Sequence, residues 1–136
     1  MALLAMEQYG LQLQGISPAL VVADSVVTIE SAMRDQKVPI WLPGRMASAA
    51  SDISATWDIT SDSLAAWLAK TIHATRLILV KSCSVDVNSG FAALARRGIV
   101  DAGFEETVRD ARYEINVVCK TDLASIHERL VTAAPK

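Results

Sequence analysis

Apolar positions along the chain switch between helical and strand spacing. From Met1 to Gln14, Ala2, Leu3, Met6 and Leu13 share one helical face, with Glu7 and Gln14 off it. Nothing before Met1 caps this helix, so the pattern reads as one already under way. Gly15 stops it, and Leu20-Val21-Val22 follows as a short β-branched stretch after Pro18. Ser25 is placed to cap a helix with Val22, Val26, Ile29 and Met33 on one stripe, ended by Asp35 to Lys37. Val38 to Leu42 predicts a strand closed by Pro43-Gly44, and Met46 to Ile59 predicts short helix and loop.

The strongest helical signal begins at Thr60-Ser61-Asp62, where Leu64, Leu68 and Ile72 line one face and Trp67 widens it. A Thr60 or Ser61 side chain is expected to cap it. Arg76 to Lys81 is a continuous apolar run of the kind found in strands buried on both sides. Short helices follow over Phe91 to Arg97, stopped by Gly98, and near Glu105 to Ala111. Tyr113 to Cys119 predicts another strand, and Thr121 is expected to cap a last helix striped by Leu123, Ile126 and Leu130. This alternation predicts an α/β fold: a mostly parallel sheet of about four strands with helices on both faces.

Composition narrows the function classes. A chain of 136 residues, 51% hydrophobic, fits one domain (1–136) with a sizeable core rather than a disordered segment. The 13 basic and 15 acidic side chains leave a net charge of −2, with no basic stripe to meet nucleic acid or an anionic membrane. Apolar runs are far shorter than a membrane span, and the apolar N-terminus has no basic lead. Cys83 and Cys119, the only two cysteines, lie far apart without histidine companions, which argues against a disulfide framework or a zinc site. The expected setting is cytoplasmic and soluble.

Three places on the predicted strand-end edge carry chemistry. Thr60-Ser61-Asp62 opens a helix, where free N–H groups and the helix dipole can hold phosphate, or where Asp62 could instead orient a lysine or a magnesium-bound phosphate; an ordinary cap with a dipole-favoured acid explains the same residues. Lys81-Ser82 leaves the apolar strand, so the ammonium reaches the edge, whether for a phosphate or simply for solvent. Arg45, after Pro43-Gly44, is an anion contact or a solvated arginine. His73 falls late in its helix and His127 on the last one, at the surface. Trp41, Trp57 and Trp67 are expected as core or interface anchors. Asp86 and Asp101 lie near turns, which attract aspartate with or without magnesium. Glycine-rich nucleotide loops of the GxGxxG and GxxxxGK types, the GxSxG elbow and the HExxH zinc motif are absent.

The segments Trp57 to Ala69 and Ala74 to Ser82 resemble the C-terminal half of the amino acid kinase superfamily, with its Ser-Asp-x-x-Ala-x-x-Leu-Ala core. Met1 to Gly10, Val38 to Pro43 and Arg97 to Asp101 are similar to the uridylate kinase-like branch near aminomethylfuran phosphate kinase. The resemblance implies an N-terminally incomplete three-layer kinase sandwich and an ATP-dependent phosphotransferase, or its nucleotide-binding portion, acting with Mg2+ on a small phosphate or carboxylate acceptor. By position it implies that Asp62 organises the catalytic lysines, flanked by Thr60 and Ser61. Lys81, Ser82 and Asp86 fall where the nucleotide loop begins and continues.

The chain departs from that pattern in two ways. Val87 stands where a glycine follows the loop aspartate, and neither a Gly-Gly pair nor a lysine before Lys37 is present, so the glycine-rich acceptor cradle is missing. Phosphoryl transfer rests on positioning and charge neutralisation, which half a cradle does not supply. The alternative is a non-catalytic oligomerisation, ligand-binding or storage module on the same fold, with a homodimer through the first helix expected.

Overall fold

In the computed structural model, residues 2–53, 56–86 and 88–132 are described; Met1 and Val87, used above, fall outside them, as does the side chain of Ala2. The chain is α/β, with four short parallel strands among the described residues, and divides into two compact units, Met1–Ala55 and Thr56–Lys136.

The first unit contains α1 (Ala2–Gln14), β1 (Leu20–Ala23), α2 (Val26–Arg34), β2 (Val38–Trp41) and α3 (Gly44–Ala49). β1 and β2 pair in parallel, Leu20 opposite Val38 and Ala23 opposite Trp41. Gly10 brings α1 onto this ribbon: a Cβ there would stand 2.8 Å from Leu42 Cδ2 and 3.2 Å from Ile40 Cγ2. Leu3, Met6 and Leu13 are half-buried, as the helical face predicts. Ser25 caps α2 through the Thr28 N–H, and the Thr28 hydroxyl accepts the Ser25 N–H in return. Of the expected stripe of Val22, Val26, Ile29 and Met33, Ile29 is buried and Val22 and Val26 are half-buried, but Met33 is 60% exposed and Ala32 is buried in its stead. Glu7 reaches from α1 to accept the Gly44 N–H at 3.0 Å at the start of α3.

The second unit contains α4 (Ser61–Thr71), β3 (Arg76–Lys81), α5 (Phe91–Arg96), α6 (Phe104–Thr107), β4 (Glu114–Cys119) and α7 (Leu123–Val131). β3 and β4 are parallel, with Arg76 opposite Glu114 and Lys81 opposite Cys119. Ala66, Leu79, Leu94, Val100, Phe104 and Val108 form the core, and Phe91 packs edge-on against Phe104 with ring centroids 5.3 Å apart. Leu77 and Leu79 face this core from β3. On the other face Val80 is 52% exposed, although its partner Val118 on β4 is buried, and α7 buries no residue completely. β3 is therefore not buried on both sides as its apolar run suggested. α7 is capped by Asp122, whose carboxylate accepts the Ser125 N–H at 3.1 Å, rather than by Thr121.

The strands form two ribbons rather than one four-stranded sheet. Pro39 gives a physical reason on the β2 side. The N–H groups of Val38 and Leu42 donate to Ala19 and Ala23, so even-numbered positions face β1 and Pro39 faces the far edge, where it has no N–H to offer.

Helix exits repeat one geometry. After α2, α4 and α5, the residues Gln36 (φ 56°), His73 (φ 53°) and Gly98 (φ 67°) adopt the left-handed conformation. Each is followed by a residue whose N–H reaches back into the helix: Lys37 to Ala32, Ala74 to Ala69 and Ile99 to Leu94. Only one of the three is glycine. His73 is thus the turn residue beyond α4, not part of its last turn. Trp57 is 81% exposed and anchors no core; Trp41 and Trp67 are half-buried.

Candidate functional site

The second unit places the start of α4 against the end of β3. Asp62, the second residue of α4, receives the Lys81 ammonium at 2.6 Å on Oδ1 and 2.5 Å on Oδ2. The pair is largely enclosed, with side chains 10% and 17% exposed respectively. The dipole at the start of α4 favours the Asp62 carboxylate, and the carboxylate in turn attracts the ammonium brought there by the end of β3.

A third residue completes this node. The Asp101 carboxylate accepts the main-chain N–H of Thr60 at 2.9 Å and of Ser63 at 2.8 Å, together with the Thr60 hydroxyl. It therefore caps α4 from 41 positions away in sequence, and neither Thr60 nor Ser61 supplies the local side-chain cap expected of them. In turn the Asp101 N–H donates to Asp62 Oδ2 at 3.2 Å. Burial raises the Asp101 carboxyl pKa, but the Ser63 and Thr60 donors outweigh it and hold the group below the ordinary aspartate value.

Local packing explains how Asp101 gets there. Val100 before it and Phe104 after it are buried in the core. Gly103 donates its N–H to the Asp58 carbonyl at 2.8 Å, and a Cβ at Gly103 would stand 2.9 Å from that oxygen. The turn is thereby held against the segment leading into α4. Turn propensity marks Asp101 only as a turn residue, since no local pattern links it to Thr60.

The other sequence candidates lie in varied surroundings. Ser61 and Ser82 are exposed beside the node. Asp86 is exposed in the following loop, where it accepts the Asn88 N–H at 3.0 Å and the Ser89 hydroxyl at 3.4 Å. Arg45, in the first unit, pairs with Asp24 at 3.2 Å on the surface. His127 is exposed on α7, and both cysteines are free thiols. Among the described residues, no group of three or more His, Cys, Asp or Glu side chains is placed to hold a metal ion, and no helix is long and apolar enough to cross a membrane.

Chemically, the node combines a buried carboxylate, an ammonium with one N–H left after two go to Asp62, and a helix start whose Thr60 and Ser63 N–H groups are already filled. No protein-family model matches the chain, and no curated protein matches it.

Proposed function

We propose that the second unit is the nucleotide-binding portion of an amino acid kinase-type phosphotransferase, with Lys81 as the phosphate contact and Asp62 as the group that fixes it. The observation behind this reading is the enclosed Asp62–Lys81 pair where the β3 end meets the α4 start, braced by Asp101. Asp62 holds the lysine in one rotamer, so the ordering cost is met before a ligand arrives. The remaining ammonium N–H and the exposed hydroxyls of Ser61 and Ser82 are the donors for a phosphate. The filled Thr60 and Ser63 N–H groups do not contribute. Magnesium enters with the nucleotide as part of the substrate. The chain holds no Lys-x-Gly-Gly segment and no Gly-Gly-Gly loop, so the reading covers nucleotide binding and leaves the small-molecule acceptor to other residues.

Isothermal calorimetry with Mg-ATP tests this. Binding is expected to weaken about tenfold or more in Lys81→Ala, which removes a charge-assisted hydrogen bond to phosphate, and to change in Asp62→Asn. Absence of binding at millimolar nucleotide overturns it in favour of a second reading, a non-catalytic self-association module. That reading is favoured by Leu4 and Leu11, seven residues apart on one helical face of α1 and 61% and 53% exposed. A monomer in sedimentation at micromolar concentration would count against it.

A further inference from the structure

We infer that the cleft along the far edge of β4 is a binding site for a small apolar carboxylate, with Arg129 as the carboxylate contact. The cleft has a volume of about 190 Å³ and shares no lining residue with the Asp62–Lys81 node. Phe91 and Leu94 of α5 and Val117 of β4 give it an apolar wall, while Asp86, Asn116 and Arg129 supply the polar groups. The N–H groups of Glu114 and Lys120 donate to β3 and its flanking residue, so even-numbered positions of β4 face its partner strand. Ile115 and Val117 therefore turn their main-chain N–H and C=O groups to the far edge, and both residues line the cleft.

The polar groups select the ligand. Arg76 holds Glu114 at 2.7 Å, and Arg129 stands at 3.7 Å from its other oxygen, with Asp122 a second carboxylate in its field. Arg76 also donates to the carbonyls of Arg129 and Thr132 at the end of α7, so its charge is met twice. Arg129 holds its carboxylates more loosely than Arg76 does. Its Nη1 donates to Asn116 Oδ1 at 2.7 Å, its Nε is buried with no acceptor, and its side chain is 35% exposed. An arginine partly enclosed beside an apolar wall, with donors to spare, suits a carboxylate whose apolar body fills the wall. Apolar amino acids and simple branched-chain acids share this chemistry; Asp86 at the rim would favour the former through their ammonium group.

The test is titration of the full 136-residue chain with L-leucine, 4-methylpentanoate and L-leucinamide, followed by 1H–15N correlation spectra. Leucine or 4-methylpentanoate is expected to shift amides at Phe91, Leu94 and Ile115 to Val117 with a millimolar or lower Kd, and leucinamide to bind about tenfold more weakly. Binding of both acids, or of either alone, supports the site and says whether the ammonium matters. Arg129→Gln should weaken binding about tenfold. Because that variant also disturbs Glu114 and Asn116, Ser89→Trp serves as a second one, filling the mouth of the cleft from the loop. Leucinamide binding as tightly as leucine, shifts that survive in both variants, or no shifts with any acid at tens of millimolar would overturn the assignment. Lys81→Ala is expected to leave these titrations unchanged, which separates them from nucleotide binding.

Discussion

Replacing Asp101 with alanine removes the side chain that caps α4, and the cost can be worked from its partners. Loss of an N-cap acceptor costs about 1 kcal/mol. Ser63 is 1% exposed, so its N–H, once donating to Asp101 at 2.8 Å, has no ready access to water; an orphaned buried donor costs about 1–3 kcal/mol. Together with the Thr60 hydrogen bonds, Asp101→Ala should destabilise by about 3 kcal/mol, and Asp101→Asn, which keeps one acceptor oxygen, by roughly half of that. Urea unfolding followed by tryptophan fluorescence measures both, since Trp57 and Trp67 lie in the same unit. The effect should also depend on pH. The folded-state pKa of Asp101 lies below its ordinary value of 3.8, so its contribution is full above that value and is lost as pH falls through the lower, folded one. The gap between wild type and Asp101→Ala should therefore narrow in acid. A destabilisation under about 0.5 kcal/mol at pH 7, the range of an ordinary surface change, would refute the capping role, as would a gap that does not move between neutral and strongly acidic pH.

Two further outcomes are expected. Asp62→Asn and Lys81→Met each leave a largely enclosed charge without its partner and should cost about 2 kcal/mol, discounted from the fully buried case for the residual exposure. The double variant should recover much of that, and a coupling energy near zero in the double-mutant cycle would show that the pair is not energetically linked. Gln36→Gly and His73→Gly should each raise stability by about 0.5–1 kcal/mol, because both sites carry side chains at positive φ. Thermal unfolding checks this, and a lowered midpoint would mean that the side chains make interactions outweighing the backbone relief.

Signals confined to a few neighbouring residues are readable from sequence. The apolar run Arg76 to Lys81 gives β3 to the residue, and Ser25 before an apolar stripe gives the start of α2. Lys81 and Asp62 are each marked by their place at an element end, although their direct pairing needs the folded chain. The α4 cap is not readable, because Asp101 arrives through a turn held by Gly103 and two core side chains. One-residue errors follow where neighbouring residues compete for the same role, as Asp122 does with Thr121 and Ala32 with Met33. The cleft beside β4 has no signature at all: Arg129, Asn116 and Asp86 come from a helix, a strand and a loop. The division into two ribbons does leave a trace, a proline inside a strand, which marks an edge.

That proline has a consequence for how copies of the chain behave when crowded. A strand edge is a template on which further strands can add, chain after chain, through main-chain hydrogen bonds. Of the four residues of β2, the odd-numbered ones, Pro39 and Trp41, face outward, and Pro39 has no N–H to give. A ladder that meets a residue without a donor is interrupted there, so Pro39 works against the addition of further strands on this edge during synthesis and refolding.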